Sequence, residues 1–304
     1  MSSTRLPLCL GLCGILAWFL ADAQGVRQAV SAALALCAAS VIPAMFPFLV
    51  VSGLLISLGF GSALAPALAG LMERLFHLPG TAGSALLLGL AGGYPIGART
   101  AAALYRSGQL TRDEAERLLT FCNNANPAFF LSVLGAGVFR STRAGLYLWL
   151  IHVLSALLTG MLLSRGQAAS RRRSVPTPPA APAAFSTLWV EAVGSALQGI
   201  LSVCAFVVIF YVLTRPLMAL PGLWGRLAVG LTELFSLTPL LSPDKTGFLL
   251  AAAFSGWGGL SVLCQTAAML AGTGLPITAC LRGKAVQGLL SALLAAGVVW
   301  ANWI

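Results

Sequence analysis

Long apolar runs, separated by short polar or glycine-rich stretches, follow one another along the whole chain. Four of them, at residues 6–21, 146–163, 196–213 and 286–300, contain no Asp, Glu, Lys or Arg. About 20 apolar residues cross the hydrocarbon core as a helix, and the alternation typical of a membrane β-barrel is absent here. The pattern therefore predicts an all-α, polytopic membrane protein.

Composition agrees with this pattern. The 304 residues are 58% hydrophobic and 9% charged, and the mean hydropathy is +0.91. Such a chain has more apolar side chains than a soluble core of ordinary size can bury. We therefore expect the lipid bilayer as its main partner. The first run is interpreted as an N-terminal transmembrane helix within residues 1–25, and a cleaved signal peptide is the alternative.

A break containing glycine and proline interrupts one apolar region at AGGYPIGART, residues 91–100. Residues 81–91 and 98–106 have helical composition, but each segment is only about half a membrane span long. Gly93, Tyr94 and Pro95 between them cannot continue a regular helix. Irregular backbone persists at membrane depth only where protein buries it or water reaches it. We expect a broken helix whose second half presents its positive N-terminal end to a cavity.

Arg99 follows this break by one turn. A lone arginine in a membrane segment costs about 2.5–3.5 kcal/mol on insertion scales, so it should face a wet cavity or an anion. The alternative is an arginine in a re-entrant loop that extends its charge to the lipid headgroups.

An amphipathic helix is predicted downstream. Thr111 and Glu114 have the spacing of a capping box, and the apolar face that follows carries Ala115, Leu118, Leu119 and Cys122.

That helix leads into FCNNANPAFF, residues 121–130. Asn126 can cap a further half-helix that begins at Pro127 and runs to about Phe139. Asn123 and Asn124 offer uncharged amides that could bind a carboxylate or a ring nitrogen. The alternative is that these asparagines are ordinary turn formers.

The two halves of the chain resemble each other. At an offset of 166 residues, seven identities fall in 17 positions, including Gly92-Gly93 against Gly258-Gly259 and Thr100 against Thr266. SGWGGLSVLCQ, residues 255–265, thus repeats the glycine break, with Ser261 and Gln265 in place of proline and arginine. Weak internal symmetry with matching broken segments is typical of transporters built from inverted repeats.

Charge is distributed as in a membrane protein. The formal net charge is +10, and the basic residues cluster at the ends of apolar runs and in a linker at residues 166–184. This linker contains four prolines and the run Arg171, Arg172 and Arg173. Basic residues in short loops favour the cytoplasmic side, so we expect a cytoplasmic linker and no nucleic-acid partner.

Motifs for enzymes, metals and cofactors are absent. The seven cysteines have no CxxC spacing, and the chain contains no HExxH, GxSxG or P-loop sequence. We expect no enzymatic activity, no metal site and no cofactor.

A few ionisable residues lie near apolar stretches. Glu233 and Glu191 are candidates for ion coupling or a proton relay, although Glu191 could equally sit at the membrane interface. Lys284 is a further ionisable residue of this kind, with an interfacial anchor as an alternative at least as strong, and His77 and His152 are interpreted as packing or interfacial residues rather than ligands.

The motifs from residue 75 to residue 130 carry a family resemblance. GGYPIGA, LTRDEAERLL and the asparagine-rich turn before proline resemble the YlbJ-type sporulation integral membrane proteins, in the nucleoside-recognition (Gate) superfamily. AFSGWGGLSVLCQ resembles the second Gate-like repeat of that family. The chain departs from the expected pattern at Asn124-Ala125-Asn126, where a small polar residue and glycine would precede the proline.

The resemblance implies a fold and a division of the chain. Related repeats occur in concentrative nucleoside transporters and in the ferrous iron transport protein B, so it implies two Gate-like repeats with re-entrant hairpins and broken helices. The expected units are the N-terminal helix at 1–25, a first repeat at 26–165, the linker at 166–184 and a second repeat at 185–304.

The resemblance also implies a function. Family members are implicated in movement of dipicolinate across the outer forespore membrane and in cortex formation. We predict a bacterial membrane transporter of a small anionic or aromatic solute, with dipicolinate as first candidate and a homo-oligomer left open. The alternative is a membrane assembly partner needed for cortex formation that transports nothing. The predicted solute-binding residues are Gly93, Tyr94, Pro95, Arg99, Asn123, Asn124, Asn126, Ser261 and Gln265.

Overall fold

The computed structural model describes residues 5–166 and 184–301, and these residues contain helices and no strand. The first half comprises α1 (Arg5–Ala21), α2 (Ala23–Leu36), α3 (Ile42–Ser57), α4 (Phe60–Phe76), α5 (Gly83–Gly92), α6 (Ile96–Arg106), α7 (Arg112–Leu119) and α8 (Thr142–Leu163). It also has π-helical segments at Cys37–Val41 and Phe129–Val138 and a 3-10 turn at Gly80–Ala82. The second half comprises α9 (Phe185–Met218), α10 (Gly222–Thr232), α11 (Leu234–Leu237), a 3-10 turn at Thr238–Leu240, α12 (Lys245–Trp257), α13 (Gly259–Leu270) and α14 (Ile277–Trp300).

Several of these helical units have the length and composition of membrane spans. In the described ranges, four do so by themselves: α8, α9, α12 together with α13, and α14. Two bent pairs, Cys9–Ala21 with Ala23–Val41 and Ala63–Phe76 with Gly80–Gly92, turn by 93° and 95° and raise the number to six if each is one span. Rows of exposed leucines, such as Leu146, Leu150 and Leu154 on α8, form apolar outer faces suited to lipid. The predicted all-α polytopic membrane fold is confirmed.

The N-terminal helix is shorter than the predicted segment at 1–25. α1 ends at Ala21, and the chain turns through 93° before α2 begins at Ala23. Asp22 causes this ending, because its carboxylate caps α2 by accepting from the Gly25 amide at 3.2 Å and also pairs with Arg215 on α9. Residues 23–25 therefore belong to the second helix.

The amphipathic helix α7 forms as predicted. The Thr111 hydroxyl accepts from the Glu114 amide at 3.3 Å, and the Glu114 carboxylate accepts from the Thr111 amide at 2.8 Å. The apolar face is completely buried, and it includes Ala115, Leu118, Leu119 and Cys122. α7 is therefore anchored to the core by one side.

The two halves have the same order of elements around their breaks. Long helices come first (α2 with α3, and α9), followed by a shorter helix (α4, and α10), two half-helices (α5 with α6, and α12 with α13) and a spanning helix (α8, and α14). Corresponding helices pack against each other, namely α3 with α9, α6 with α13 and α8 with α14. This pairing is consistent with a duplication in which α7 and the segment Phe129–Val138 are additions to the first half.

The predicted linker at 166–184 joins α8 to α9. Its residues 167–183, with Arg171, Arg172 and Arg173, lie outside the described part of the chain.

Candidate functional site

The first break forms where the sequence predicts it. α5 ends at Gly92, and Gly93 has φ 86° and ψ −172°, a conformation that a residue with a side chain rarely adopts. A cis peptide bond joins Tyr94 to Pro95, and α6 begins at Ile96. Gly93, Tyr94 and Pro95 thus separate two half-helices of 10 and 11 residues.

Glycines let the asparagine turn pack directly on this break. A Cβ atom at Gly89 would lie 1.9 Å from the Cys122 carbonyl oxygen, and one at Gly97 would lie 2.0 Å from the same atom. At Gly93 it would lie 2.9 Å from the Cβ of Asn126. The glycines of this motif therefore serve close backbone packing between the half-helices and residues 122–126.

The three asparagines of the turn are buried, and each has protein partners. Asn123 accepts from the Ala98 amide at 3.4 Å on α6 and donates to the Thr266 hydroxyl at 2.8 Å on α13. Asn124 donates to the Phe121 carbonyl at 2.8 Å. Asn126 accepts from the Phe129 amide at 2.8 Å, which is the predicted cap of the helical segment that begins at Pro127 and continues into Phe129–Val138.

The second break meets the first. α12 ends at Trp257, and Gly258 has φ 86° and Gly259 has φ 87° before α13 continues. The Tyr94 hydroxyl donates to the Ser255 carbonyl at 3.1 Å, and a Cβ at Gly258 would lie 3.2 Å from that hydroxyl oxygen. The two breaks are thus in direct contact.

A pocket lies beside this contact. Three of the predicted site residues line it: Tyr94, Asn126 and Gln265. Ser40, Phe129 and Phe235 add a hydroxyl and two aromatic rings, and the rest of the lining is Val41, Met45, Ala125, Val133, Val203, Leu234 and Val262. The first break, the helix α13 that follows the second break and the π-helical segment Cys37–Val41 therefore contribute to one mainly apolar pocket.

Other predicted site residues lie around the pocket without lining it. Arg99 is half-buried and donates to the Ser195 hydroxyl on α9, about two turns from Val203 in the pocket wall. Ser261 is buried and accepts from the Gln265 amide at 3.3 Å. Asn123 and Asn124 lie behind the pocket, in contacts between helices.

The two glutamates named as coupling candidates lie in different environments. Glu233 is 1% exposed, and its carboxylate caps the short helix α11 by accepting from the Phe235 amide at 3.0 Å and from the Ser236 amide. Glu191 is exposed near the start of α9. Neither lines the pocket.

Lys284 is the polar residue whose position the sequence interpretation missed. It is 1% exposed in the second turn of α14, so it is a buried residue rather than an interfacial anchor. Its ammonium lies 2.8 Å from the Gln287 side-chain oxygen and 3.3 Å from the Tyr94 hydroxyl. The signal for this position was a cation followed three residues later by an amide within a long apolar helix.

His152 is also fully inside the protein, as a packing assignment implies. Its Nε2 atom accepts from the Ala125 amide at 3.1 Å, and its ring packs on Phe130 with centroids 4.8 Å apart. Its Nδ1 atom has no hydrogen-bond partner among the described residues.

Part of the chain is similar to known proteins. Residues 38–164 match the family model Gate, described as nucleoside recognition. The chain is 28% identical to "Sporulation integral membrane protein YlbJ" of Bacillus subtilis (strain 168), over 83% of this chain and 72% of that protein. No solved structure matches it. The resemblance carried by the break and the asparagine turn is confirmed, since both lie within the matched residues.

Proposed function

We propose that this integral membrane protein with a nucleoside-recognition Gate domain is a transporter of a small, planar, anionic solute, with dipicolinate as the first candidate. The observation that carries the proposal is the pocket at the contact of the two breaks, which both halves of the chain line. In transporters built from repeats, solute sites lie at such an interface between broken helices.

The pocket lining suits a planar aromatic ring. Tyr94, Phe129 and Phe235 supply aromatic faces, and Phe129 and Phe235 pack edge to face with centroids 5.4 Å apart. Such edges and faces bind a flat ring with little loss of conformational freedom. The side-chain amides of Asn126 and Gln265 can add hydrogen bonds to ring substituents.

Two features favour a negative charge on the solute. Helices α6 and α13 both begin at the breaks, and the N-terminus of a helix carries a partial positive charge. Arg99 adds a full positive charge outside the pocket, on the side facing α9. We propose that Arg99 attracts the solute toward the pocket, while the half-helices and amides hold it there.

The similarity to a sporulation protein supports dipicolinate as the first solute to test. Dipicolinate is a planar ring with two carboxylates, which fits aromatic walls, amide donors and helix N-termini. The description of the matched domain makes a nucleoside the natural competitor in the same assay.

Flux into vesicles tests the proposal. The full chain is reconstituted into liposomes, and uptake of dipicolinate is compared with uptake of uridine and with protein-free vesicles. Gln265→Leu removes the amide from the pocket and should reduce dipicolinate uptake roughly tenfold, the loss expected for a hydrogen bond to a charged group. The matched control is Gln198→Leu, at an exposed position on α9, which should leave uptake unchanged.

The outcomes separate the candidate functions. Uptake of uridine but not of dipicolinate would support a transport function and reject dipicolinate as the solute. No uptake of either solute by a correctly inserted parent would reject transport and favour an assembly partner in cortex formation. Equal losses for Gln265→Leu and Gln198→Leu would reject the pocket as the site.

A further inference from the structure

The buried cation Lys284 contacts Tyr94, a residue of the pocket wall. Its ammonium is 4.8 Å from the centroid of the Tyr94 ring, and Tyr94 also lines the pocket. Tyr94 is therefore in contact with the cation and is also part of the pocket wall. In the described part of the chain, no carboxylate lies within ion-pair distance of Lys284.

The amine is connected to each part of the site through neutral groups. Tyr94 links it to the first break and, through the Ser255 carbonyl at 3.1 Å, to the end of α12 at the second break. Gln287 accepts from Lys284 and donates to Asn124 at 3.0 Å, which links the amine to the asparagine turn. A change of charge on Lys284 thus acts on both breaks at once.

Close packing holds α14 at this position. A Cβ atom at Gly283 would lie 1.9 Å from the Thr120 carbonyl oxygen. One at Gly256 on α12 would lie 2.8 Å from the Gln287 carbonyl oxygen and 2.9 Å from the Cα of Gly288. Backbone contacts on two sides keep the lysine side chain from reaching lipid headgroups.

The titratable side chains facing Lys284 are a phenol, two thiols and an imidazole, and none of them is negatively charged near neutral pH. They are Tyr94 from the first break, Cys122 after α7, His152 on α8 and Cys280 on α14. A buried ammonium with neutral neighbours is costly, and the neutral amine avoids that cost. The ring face and two acceptors offset part of the cost, so a nearby negative charge can decide whether the proton is held.

We propose that Lys284 is the proton-binding residue that couples solute binding to proton movement in this transporter. This inference rests on the proposed transport of an anion. An anion in the pocket favours the ammonium form, and the empty pocket favours the neutral amine. One proton binds the Nζ atom from the side where the solute loads and returns to water on the other side.

Linkage sets the sign of the pH effect. Because an anion strengthens proton binding at Lys284, a bound proton strengthens anion binding by the same factor. Solute affinity should therefore fall as pH rises and Lys284 becomes neutral. A coupling of the usual size changes affinity roughly 5- to 150-fold between the two forms.

Three variants separate charge from structure. Lys284→Met is always neutral, and it should bind dipicolinate weakly at every pH and move no proton. Lys284→Arg is always charged, and it should bind tightly at every pH and also move no proton. The matched control is Arg282→Met, which removes an exposed cation two residues away and should behave as the parent.

The experiment uses full-length protein in vesicles that enclose a pH-sensitive dye. Dipicolinate binding and uptake are measured between pH 6.5 and 9.5, above the range in which carboxyl groups usually titrate. In the parent, uptake of dipicolinate should acidify the vesicle interior. In Lys284→Met, this acidification should be lost. Uptake without acidification, or unchanged pH dependence in Lys284→Met, would overturn the inference while transport stands. Absence of dipicolinate uptake by the parent would overturn the proposed function itself, and the inference with it.

Discussion

Arg99 carries a positive charge to the surface of α9, where its guanidinium donates to Ser195 instead of pairing with a carboxylate. A hydroxyl partner leaves the charge of an arginine uncompensated. An anionic solute would supply that compensation, which is why Arg99 remains a candidate although it does not line the pocket. A planar guanidinium can hold a carboxylate through two parallel hydrogen bonds, whereas a lysine acts as a point charge.

Replacement of Arg99 should therefore weaken dipicolinate flux in a graded way. Arg99→Lys keeps the charge and should retain part of the flux, whereas Arg99→Gln should reduce it roughly tenfold or more, as for loss of a hydrogen bond to a charged group. The measurement is initial uptake at equal protein density in vesicles. Arg106→Gln, at an exposed position of the same helix, is the control and should match the parent. Parental flux in Arg99→Gln would remove Arg99 from the path.

Residues whose structure depends on local sequence were predictable. The Thr111 capping box, the Asn126 cap and the conformation of Gly93 follow from neighbours within a few positions. Lys284 was not, because its partner Tyr94 is 190 residues away along the chain. A lysine near the start of a helix is typical of an interfacial anchor. Only the packing of α14 on α7 and α12 shows that Lys284 is buried.

At the scale of elements, the half-helices α5 and α6 are held by backbone contacts more than by side chains. Gly89 and Gly97 both approach the Cys122 carbonyl, so the asparagine turn fits against two helices at once. The sequence predicted the half-helices and the turn separately. Their contact was not predictable, since composition identifies a glycine but not the atom that approaches it.

A methyl group at Gly97 should disrupt this contact. The Cβ atom of Gly97→Ala would lie 2.0 Å from the Cys122 carbonyl oxygen and 3.1 Å from the Cα of Asn123, and backbone atoms cannot move aside cheaply. Overpacking of this kind typically costs about 1–3 kcal/mol, so the apparent melting temperature in detergent should fall. Gly194→Ala on α9 meets nothing within 4 Å and should be neutral or slightly stabilising, because alanine favours helix. Equal melting temperatures for the two variants would contradict the packing.

At the scale of the whole molecule, the fold fixes which loops share a membrane face. α8 has 22 residues and is about 33 Å long, so its two ends lie on opposite faces. At its C-terminal end, the Ser164 carbonyl lies 3.1 Å from the His77 ring nitrogen Nδ1, and the Arg117 guanidinium donates to the His77 carbonyl at 2.6 Å. The amphipathic helix α7 and the end of α4 are therefore on the same face as the linker.

Sidedness of single cysteines tests this arrangement together with the predicted cytoplasmic linker. The variants are Asp113→Cys in α7, Thr142→Cys at the start of α8, and Ser174→Cys in the linker, outside the described residues. The background replaces with alanine the native cysteines that are exposed or half-exposed, namely Cys9, Cys13, Cys204 and Cys264. Basic residues near the ends of spans favour the cytoplasm, so Arg165 and the three linker arginines predict that this face is cytoplasmic. An impermeant thiol reagent should then label Thr142→Cys on intact cells, and Asp113→Cys and Ser174→Cys only after permeabilisation.

Labelling of Ser174→Cys on intact cells would reverse the predicted orientation. Labelling of Asp113→Cys and Ser174→Cys from different sides would contradict the packing of α7 at the end of α8.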